Sequence, residues 1–590
     1  MPIRQLKTKN NLLIYIIPIL VALLVRIILL INWWDSPVRW YSNIGGLDMK
    51  AILWAGKCLY NRGSIFTLHR AFITTILLVN NGNHSIEAVV IIQLISGIII
   101  APLVAWCALR IWGKRYWALA SGLLAALYAP ALMYQVLVLK ESMFLFFALL
   151  SLAAVLWAHK RNLSSRALWV CGIFSALPII CRVSALPFCG LSALWIIACL
   201  FKKLKSNKKY ILYRTTFFVL GILTVFIPVS ITTAYLTRGD YFMPIQTPFR
   251  YISKLGSINN PKSLNIPNVT TLEKPSNISI SSTPQKSSKI NKVSSFVLNM
   301  ARKTPKFFSA SEIPNNVNYY FLKYKLFPLQ YLIGPLLLIP LAVTALILLF
   351  FNRGILRKES ILFIFIFSYM LPICYFFPLA RYRVILMPVF CMLAPYPVFA
   401  AWEAWHSKKH FLIFIPLVIW ATILYINFPL DSSLRATDFV SYGKGMQFKT
   451  GKSASALPYF YKAYQMAPYK QMTVVNFADT LIKNRNAKDA VKILIPAFQK
   501  SPNNPAFRYY LGIASLYIGK AKQAEQLFNR INPDTMGNLK VQYYYYFGES
   551  LRVQNKGKAA AQLYQKAFNA KPNKQQRIIL EKSLKACNGK

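Results

Sequence analysis

Residues 12–32 read LLIYIIPILVALLVRIILLIN, an apolar run of spanning length that decides the class of the chain. It is too long for the core of a cleavable leader and is read as a first transmembrane helix. Working outward, ten further apolar stretches follow, near 86–112, 117–138, 142–158, 167–181, 184–201, 215–236, 329–351, 361–378, 384–401 and 411–428. The expectation is an all-α chain: a polytopic bundle of about eleven spans over 1–428, followed by a helical solenoid over 429–590. Composition agrees. Hydrophobic residues make up 56% of the 590 and charged residues 15%. A soluble chain with so few charges could not cover its own surface, whereas lipid can cover this one.

Lys and Arg number 69 against 17 Asp and Glu, a net charge of +52. That excess favours anionic partners, membrane lipids among them. Nucleic acid is not expected, because the basic residues sit in short clusters between apolar spans. The clusters at Arg4–Lys9, Lys114-Arg115, Lys160-Arg161, Lys202–Lys209, Arg353–Lys358 and Lys408-Lys409 all fall on one side if the N-terminus is cytoplasmic. The loop 33–85, the loop 237–328 and the tail are then extracytoplasmic. The second loop, rich in Ser, Asn, Lys and Pro, reads as largely irregular. Nine cysteines form no CxxC pair and no Cys/His cluster, so neither a zinc site nor a disulfide framework is signalled.

The tail repeats. Ala456, Ala490 and Ala524 are 34 apart, as are Phe460, Leu494 and Phe528, and as are Pro468 and Pro502. Ala560 and Tyr564 continue the series at a spacing of 36. A small residue, an aromatic and a terminal proline at this period are the tetratricopeptide signature, and three to four units fit. The run Tyr543–Tyr546 is read first as packing. Between 439 and 590 the net charge is +19, which suits an acidic partner; an equally plain reading is that every polar segment of this chain is basic.

Chemistry that needs a carboxylate has few to draw on. By position, Asp35, Asp48, Glu87, Glu141 and Asp240 remain near the outer face. Past Asp48, the residues Ile52, Leu53, Ala55, Leu59 and Tyr60 form a helical stripe with Lys50 and Lys57 among them. This reads as a short amphipathic helix on the membrane surface, with Asp48 at its start either as a cap or as a working carboxylate.

The set Leu47-Asp48-Met49-Lys50 with Trp54-Ala55, Val138–Ser142 with Lys140-Glu141 opening a span, Arg182–Ala185 in a short hairpin, and Arg381-Tyr382-Arg383 before Pro388 resembles the GT-C membrane glycosyltransferases. Within them it is most similar to glycosyltransferase family 39, the protein mannosyltransferase-like proteins that carry tetratricopeptide tails. The resemblance covers residues 12 to about 400. It implies inverting transfer of a sugar from a polyprenyl-phosphate donor to an acceptor on the outer face of the bacterial inner membrane. The tail would then be extracytoplasmic and recruit a protein or glycan acceptor.

On this resemblance Asp48 is the catalytic base, with Asp35 the runner-up. Arg381, Arg383, Arg182 and Lys140 are candidates for the donor phosphate, and Glu141 and Arg70 are further candidates. Span-end arginines also snorkel to lipid head groups, and Glu141 beside Lys140 also fits a pair within the protein. The cofactor is left open: a divalent metal belongs to the reaction's options, yet no ligand pattern signals one. The chain departs from the family where Ala51, Ile52 and Leu53 replace a second acid, and where Ala71–Thr74 follow Arg70 in place of a Pro-Leu-Tyr-Pro element. Two alternatives stand beside the transferase. One is a catalytically inactive membrane scaffold that displays a tetratricopeptide adaptor. The other is an O-antigen ligase-like oligosaccharide transferase, against which the loop 237–328 lacks any His.

Overall fold

The computed structural model describes residues 12–53, 86–203, 208–236, 289–351, 358–407, 411–427 and 434–588. Among these the chain is helical, and its single isolated bridge joins Tyr128 to Ile333. It divides into two compact units: Met1–Trp34 with Gly45–Ser432, and Asp35–Ile44 with Ser433–Lys590.

In the first unit, six described helices are long and apolar enough to cross a membrane: Leu13–Trp34, Ile86–Trp112, Glu141–Lys160, Val183–Lys203, Lys208–Thr232 and Ala380–His406. Ser165–Cys181, Pro335–Phe350 and Ser360–Tyr375 are apolar but shorter. The stretch expected as one span over 117–138 is instead two helices, Arg115–Leu127 and Ala129–Gln135. Pro130 sits in the first turn of the second piece, where its missing N–H costs nothing. The backbone groups freed at the break pair elsewhere: Ile333 N donates to Leu127 O at 3.1 Å, and Ala129 N to Ile333 O at 2.9 Å. Arg26, only 2% exposed, braces the two pieces from the first span. Its guanidinium donates to Ala126 O at 3.3 Å and to Gln135 Oε1 at 3.0 Å. Broken backbone buried among helices in this way keeps its polar groups satisfied away from water.

Close helix crossings need small residues. A Cβ on Gly172 would lie 2.1 Å from Phe218 O, and one on Gly221 2.0 Å from Trp169 O. These two glycines let Ser165–Cys181 and Lys208–Leu236 touch through their backbones. The loop expected to be irregular corrects in part: Lys289–Phe307 is a helix, and 308–334 is an ordered connection with Ser309, Ser311, Glu312 and Asn318 buried.

The second unit stacks helical pairs: Ala436–Thr450 with Leu457–Met466, Gln471–Lys483 with Ala487–Lys500, Pro505–Tyr517 with Ala521–Asn529, and Lys540–Arg552 with Gly557–Asn569. Lys574–Asn588 follows. The periodic residues are its core. Ala456, Ala490, Ala524 and Ala560 are fully buried, as are Phe460, Leu494, Phe528 and Tyr564. Three of these four large side chains fill the space that a glycine leaves: a Cβ on Gly443, Gly512 or Gly548 would meet the ring of Phe460, Phe528 or Tyr564 within 3.0 Å. Residues 37–43 join this unit as a short 3-10 helix beside Ala436–Thr450, with Pro37 O occupying the place of a Cβ on Gly445.

Phe528 meets Tyr509, Phe547 and Tyr543 at ring separations of 6.2, 5.9 and 6.2 Å. Phe528→Ala is expected to cost about 3–5 kcal/mol by leaving a cavity between successive pairs. In the full-length protein this reads as a loss of about 10²–10⁴ in amide-exchange protection across 505–552. A change below tenfold contradicts this placement of the core.

Candidate active site

Gly45 and Gly46 turn the chain, Gly46 at φ +88°, and a helix opens at residue 48. Met49, Ile52 and Leu53 are buried and anchor it, whereas Asp48 and Lys50 face outward. Asp48 lies in the first helical turn, where the unpaired N–H groups favour its negative charge. Its Oδ2 takes a hydrogen bond and ion pair from Arg381 Nη1. About half of the Asp48 side chain, 52%, remains open, while that of Arg381 is 9% exposed.

Arg381 stands on the short helix Ala380–Arg383, whose Ala380 N donates to Ile313 O at 3.0 Å. Its Nε donates to Glu141 Oε1 at 2.8 Å. Glu141, 1% exposed, is the first residue of the helix Glu141–Lys160, and Arg182 Nη1 lies 3.8 Å from the same oxygen. Tyr382 serves both guanidiniums: the Arg182 carbon sits 4.0 Å from its ring centroid and the Arg381 carbon 5.1 Å. Cations held over an aromatic face are stabilised by its quadrupole. Glu141 is therefore the buried hub that holds two arginines, and Arg381 links it to Asp48.

Burial works against a charge on Asp48, but the hydrogen bond and charge of Arg381 prevail, with Asn316 and Lys140 adding in the same sense. Its carboxyl is held below the usual carboxylate range.

The structure thus gathers Asp48, Arg381, Arg182, Lys140 and Glu141. Arg383 turns away from them: Nη1 donates to the carbonyls of Lys306, Phe307 and Ser309, and Nη2 to Ser311 O, at 2.7–3.1 Å. It also pairs with Glu312 at 3.1 Å. Through these four carbonyls and Glu312, Arg383 braces the 306–312 segment. Asp35 belongs to the second unit, where it pairs with Lys449 at 2.7 Å with its side chain 85% exposed. Arg70, Trp54-Ala55 and Asp240 lie outside the described residues. Sequence reasoning missed Asn316 and Glu312. Glu312 is one of three acids, with Asp240 and Glu273, in the otherwise basic loop 237–328.

Three cations, Arg381, Arg182 and Lys140, surround two carboxylates here, Asp48 and Glu141. Among the described residues no three His, Cys, Asp or Glu side chains converge as metal ligands. Residues 481–542 match the family model of the tetratricopeptide repeat. The tail carries a tetratricopeptide repeat. No curated protein matches the chain.

Proposed function

We propose that this chain is a membrane glycosyltransferase, related to the GT-C family 39 enzymes, that moves a sugar from a polyprenyl-phosphate donor to an acceptor hydroxyl. The observation that carries the reading is the pairing of half-open Asp48 with Arg381 inside a cluster of Arg182, Lys140 and Glu141. An acceptor oxygen attacks the anomeric carbon, and the bond to the phosphate oxygen breaks with its electron pair going to the phosphate. Asp48 takes the acceptor's proton, and configuration inverts. The cations receive the charge that develops on the leaving phosphate. An apolar groove of about 810 Å³ fits the isoprenoid of such a donor. It is lined by Thr304, Phe308, Ile347 and Phe350, and begins beside the carbonyls that Arg383 holds. In this reading the membrane is the bacterial inner membrane, and the site and tail face outward.

Arg381 has two tasks that compete. Bound to Asp48 it depresses the basicity of that carboxylate, and a donor phosphate draws the same guanidinium away. Donor arrival then switches on the base, while Glu141 keeps Arg381 in place through Nε.

This sets a pH signature. A depressed carboxyl loses its charge only as pH falls through its lowered value, so the acid limb of kcat/KM, which reports the free protein, lies below the ordinary Asp value of about 3.9. The acid limb of kcat, which reports the donor complex, lies at higher pH than that of kcat/KM. Equal limbs in assays with a radiolabelled polyprenyl-phosphate sugar remove the competition from the mechanism. The ion pair's contribution to stability follows the same sign: present above the ordinary value and lost as pH falls through the lowered one.

A further inference from the structure

A second apolar groove, of about 330 Å³, lies toward the far end of Glu141–Lys160 from Glu141. Three helices form it: Leu103 and Trp106 come from Ile86–Trp112, Leu150 and Trp157 from Glu141–Lys160, and Val170 and Phe174 from Ser165–Cys181. Trp157 stands 16 residues beyond Glu141, about 24 Å along the helix at ~1.5 Å per residue. In a hydrocarbon core about 30 Å thick, that places the groove in the other half of the bilayer from the Asp48 cluster.

Each of the three helices carries an arginine one turn from a residue that lines the groove. Arg110 follows Trp106 by four, Arg161 follows Trp157 by four, and Arg166 precedes Val170 by four. That spacing puts both members of each pair on one helix face. The first two helices end on this side of the bundle and the third begins there, so all three arginines lie beyond the same end of the groove. The Arg110 carbon sits 5.2 Å from the Trp106 ring centroid, and the Arg161 carbon 5.9 Å from that of Trp157. A guanidinium stacked on an indole keeps its N–H edge for an acceptor. Arg110 Nε is buried without a hydrogen-bond partner, and among the described residues no carboxylate pairs with any of the three.

Phosphate meets a guanidinium with paired oxygens, so three arginines without carboxylates call for a phosphate. An apolar slot that ends in such a cluster matches the two parts of a phospholipid. The sign of the cluster selects the head group: choline or ethanolamine would add a cation to three others, whereas a head group without an amine adds none. Tryptophans and arginines of an ordinary interfacial belt meet lipid singly, but here they share one groove.

We propose that this groove binds an anionic phospholipid, with an acyl chain against Trp106 and Trp157 and the phosphodiester on Arg110, Arg161 and Arg166. The proposal stands independently of the transferase reading.

The test takes the full-length chain, delipidated in detergent, and titrates it by native mass spectrometry with phosphatidylglycerol and phosphatidylcholine of identical acyl chains. Glycerol 3-phosphate supplies the phosphate without a chain. Phosphatidylglycerol is expected to bind roughly tenfold or more tightly than phosphatidylcholine. Glycerol 3-phosphate, with no chain to bury, binds roughly a hundredfold or more weakly than phosphatidylglycerol. Arg161 and Arg166 are exposed, so replacing both with glutamine leaves the bundle folded. Arg161→Gln with Arg166→Gln lowers phosphatidylglycerol affinity by about 25-fold, about fivefold for each guanidinium, and barely moves phosphatidylcholine. Unchanged thermal unfolding of this variant in phosphatidylcholine nanodiscs separates loss of lipid from loss of fold. Equal retention of the two phospholipids reduces the site to ordinary interfacial anchoring. Phosphatidylglycerol binding that ignores the double variant puts the head group elsewhere, and glycerol 3-phosphate binding as tight as the lipid's removes the groove. Each of these results overturns the proposal.

Discussion

If the chain is the transferase proposed above, replacing Asp48 with asparagine is expected to lower sugar transfer by about 10²–10⁴-fold, the contribution of a well-placed general base. The argument is one of geometry and charge. Asparagine has the shape of aspartate and still accepts a hydrogen bond from Arg381, and Glu141 holds that arginine from its other side at 2.8 Å. The site therefore stays assembled, and only the capacity to take a proton is lost. Donor affinity is expected to hold or rise, because Arg381 no longer pairs with a carboxylate and is freer for phosphate. Parallel measurements of radiolabelled donor binding and of turnover give the outcome. Unchanged turnover removes Asp48 from the chemistry and favours a scaffold. Equal loss of binding and turnover makes it a structural pair.

A large loss of stability is expected at Arg383. Its guanidinium is 4% exposed, bonded to four carbonyls between Lys306 and Ser311, and paired with Glu312, itself 5% exposed. Arg383→Met keeps the apolar stem and removes every one of these donors. Glu312 then retains Tyr128 as its hydrogen-bond donor, at 3.2 Å, and becomes a buried charge without a cation. Removing one partner of such a pair costs about 3–5 kcal/mol. The effect reaches the cluster through Ile313 O, which holds Ala380 next to Arg381, so in the proposed transferase donor affinity is expected to fall as well. Thermal unfolding in nanodiscs measures the loss. Adding Glu312→Gln to Arg383→Met recovers part of it, because the orphaned charge is gone. A loss under about 1 kcal/mol shows that Arg383 is no brace.

What the sequence made legible is local or periodic. Apolar runs locate the long helices because lipid and a helical core demand the same side chains over the same length. The alternation of Ala456, Ala490 and Ala524 with Phe460, Leu494 and Phe528 marks the core of the repeats, because each pair buries the same positions on its neighbour. The rest depended on contacts between distant parts of the chain. Arg381 and Arg383 are alike in sequence, yet one meets Glu141, 240 residues away, and the other the 306–312 segment. Nothing in the even hydropathy of 117–138 marks the break at Tyr128, which exists because Ile333 and Arg26 receive the freed backbone groups. Asp48 was legible as one of few acids near the outer face, but its partner was one of several basic residues.

The short 3-10 helix at 37–43 bears on how this protein can be dissected. The polypeptide leaves its apolar half after Trp34, contributes Val38, Tyr41 and Ile44 to the repeat half, and returns at Gly45. The two halves are threaded through one another's sequence, so no single cut yields both intact. A recombinant product that stops at 432 retains Pro37–Asn43 without the partner that shields it and exposes an adhesive apolar ledge. One that starts at 433 lacks a piece of its own first repeat. An expression design that appends residues 35–44 to the repeat fragment by a flexible linker restores that missing piece.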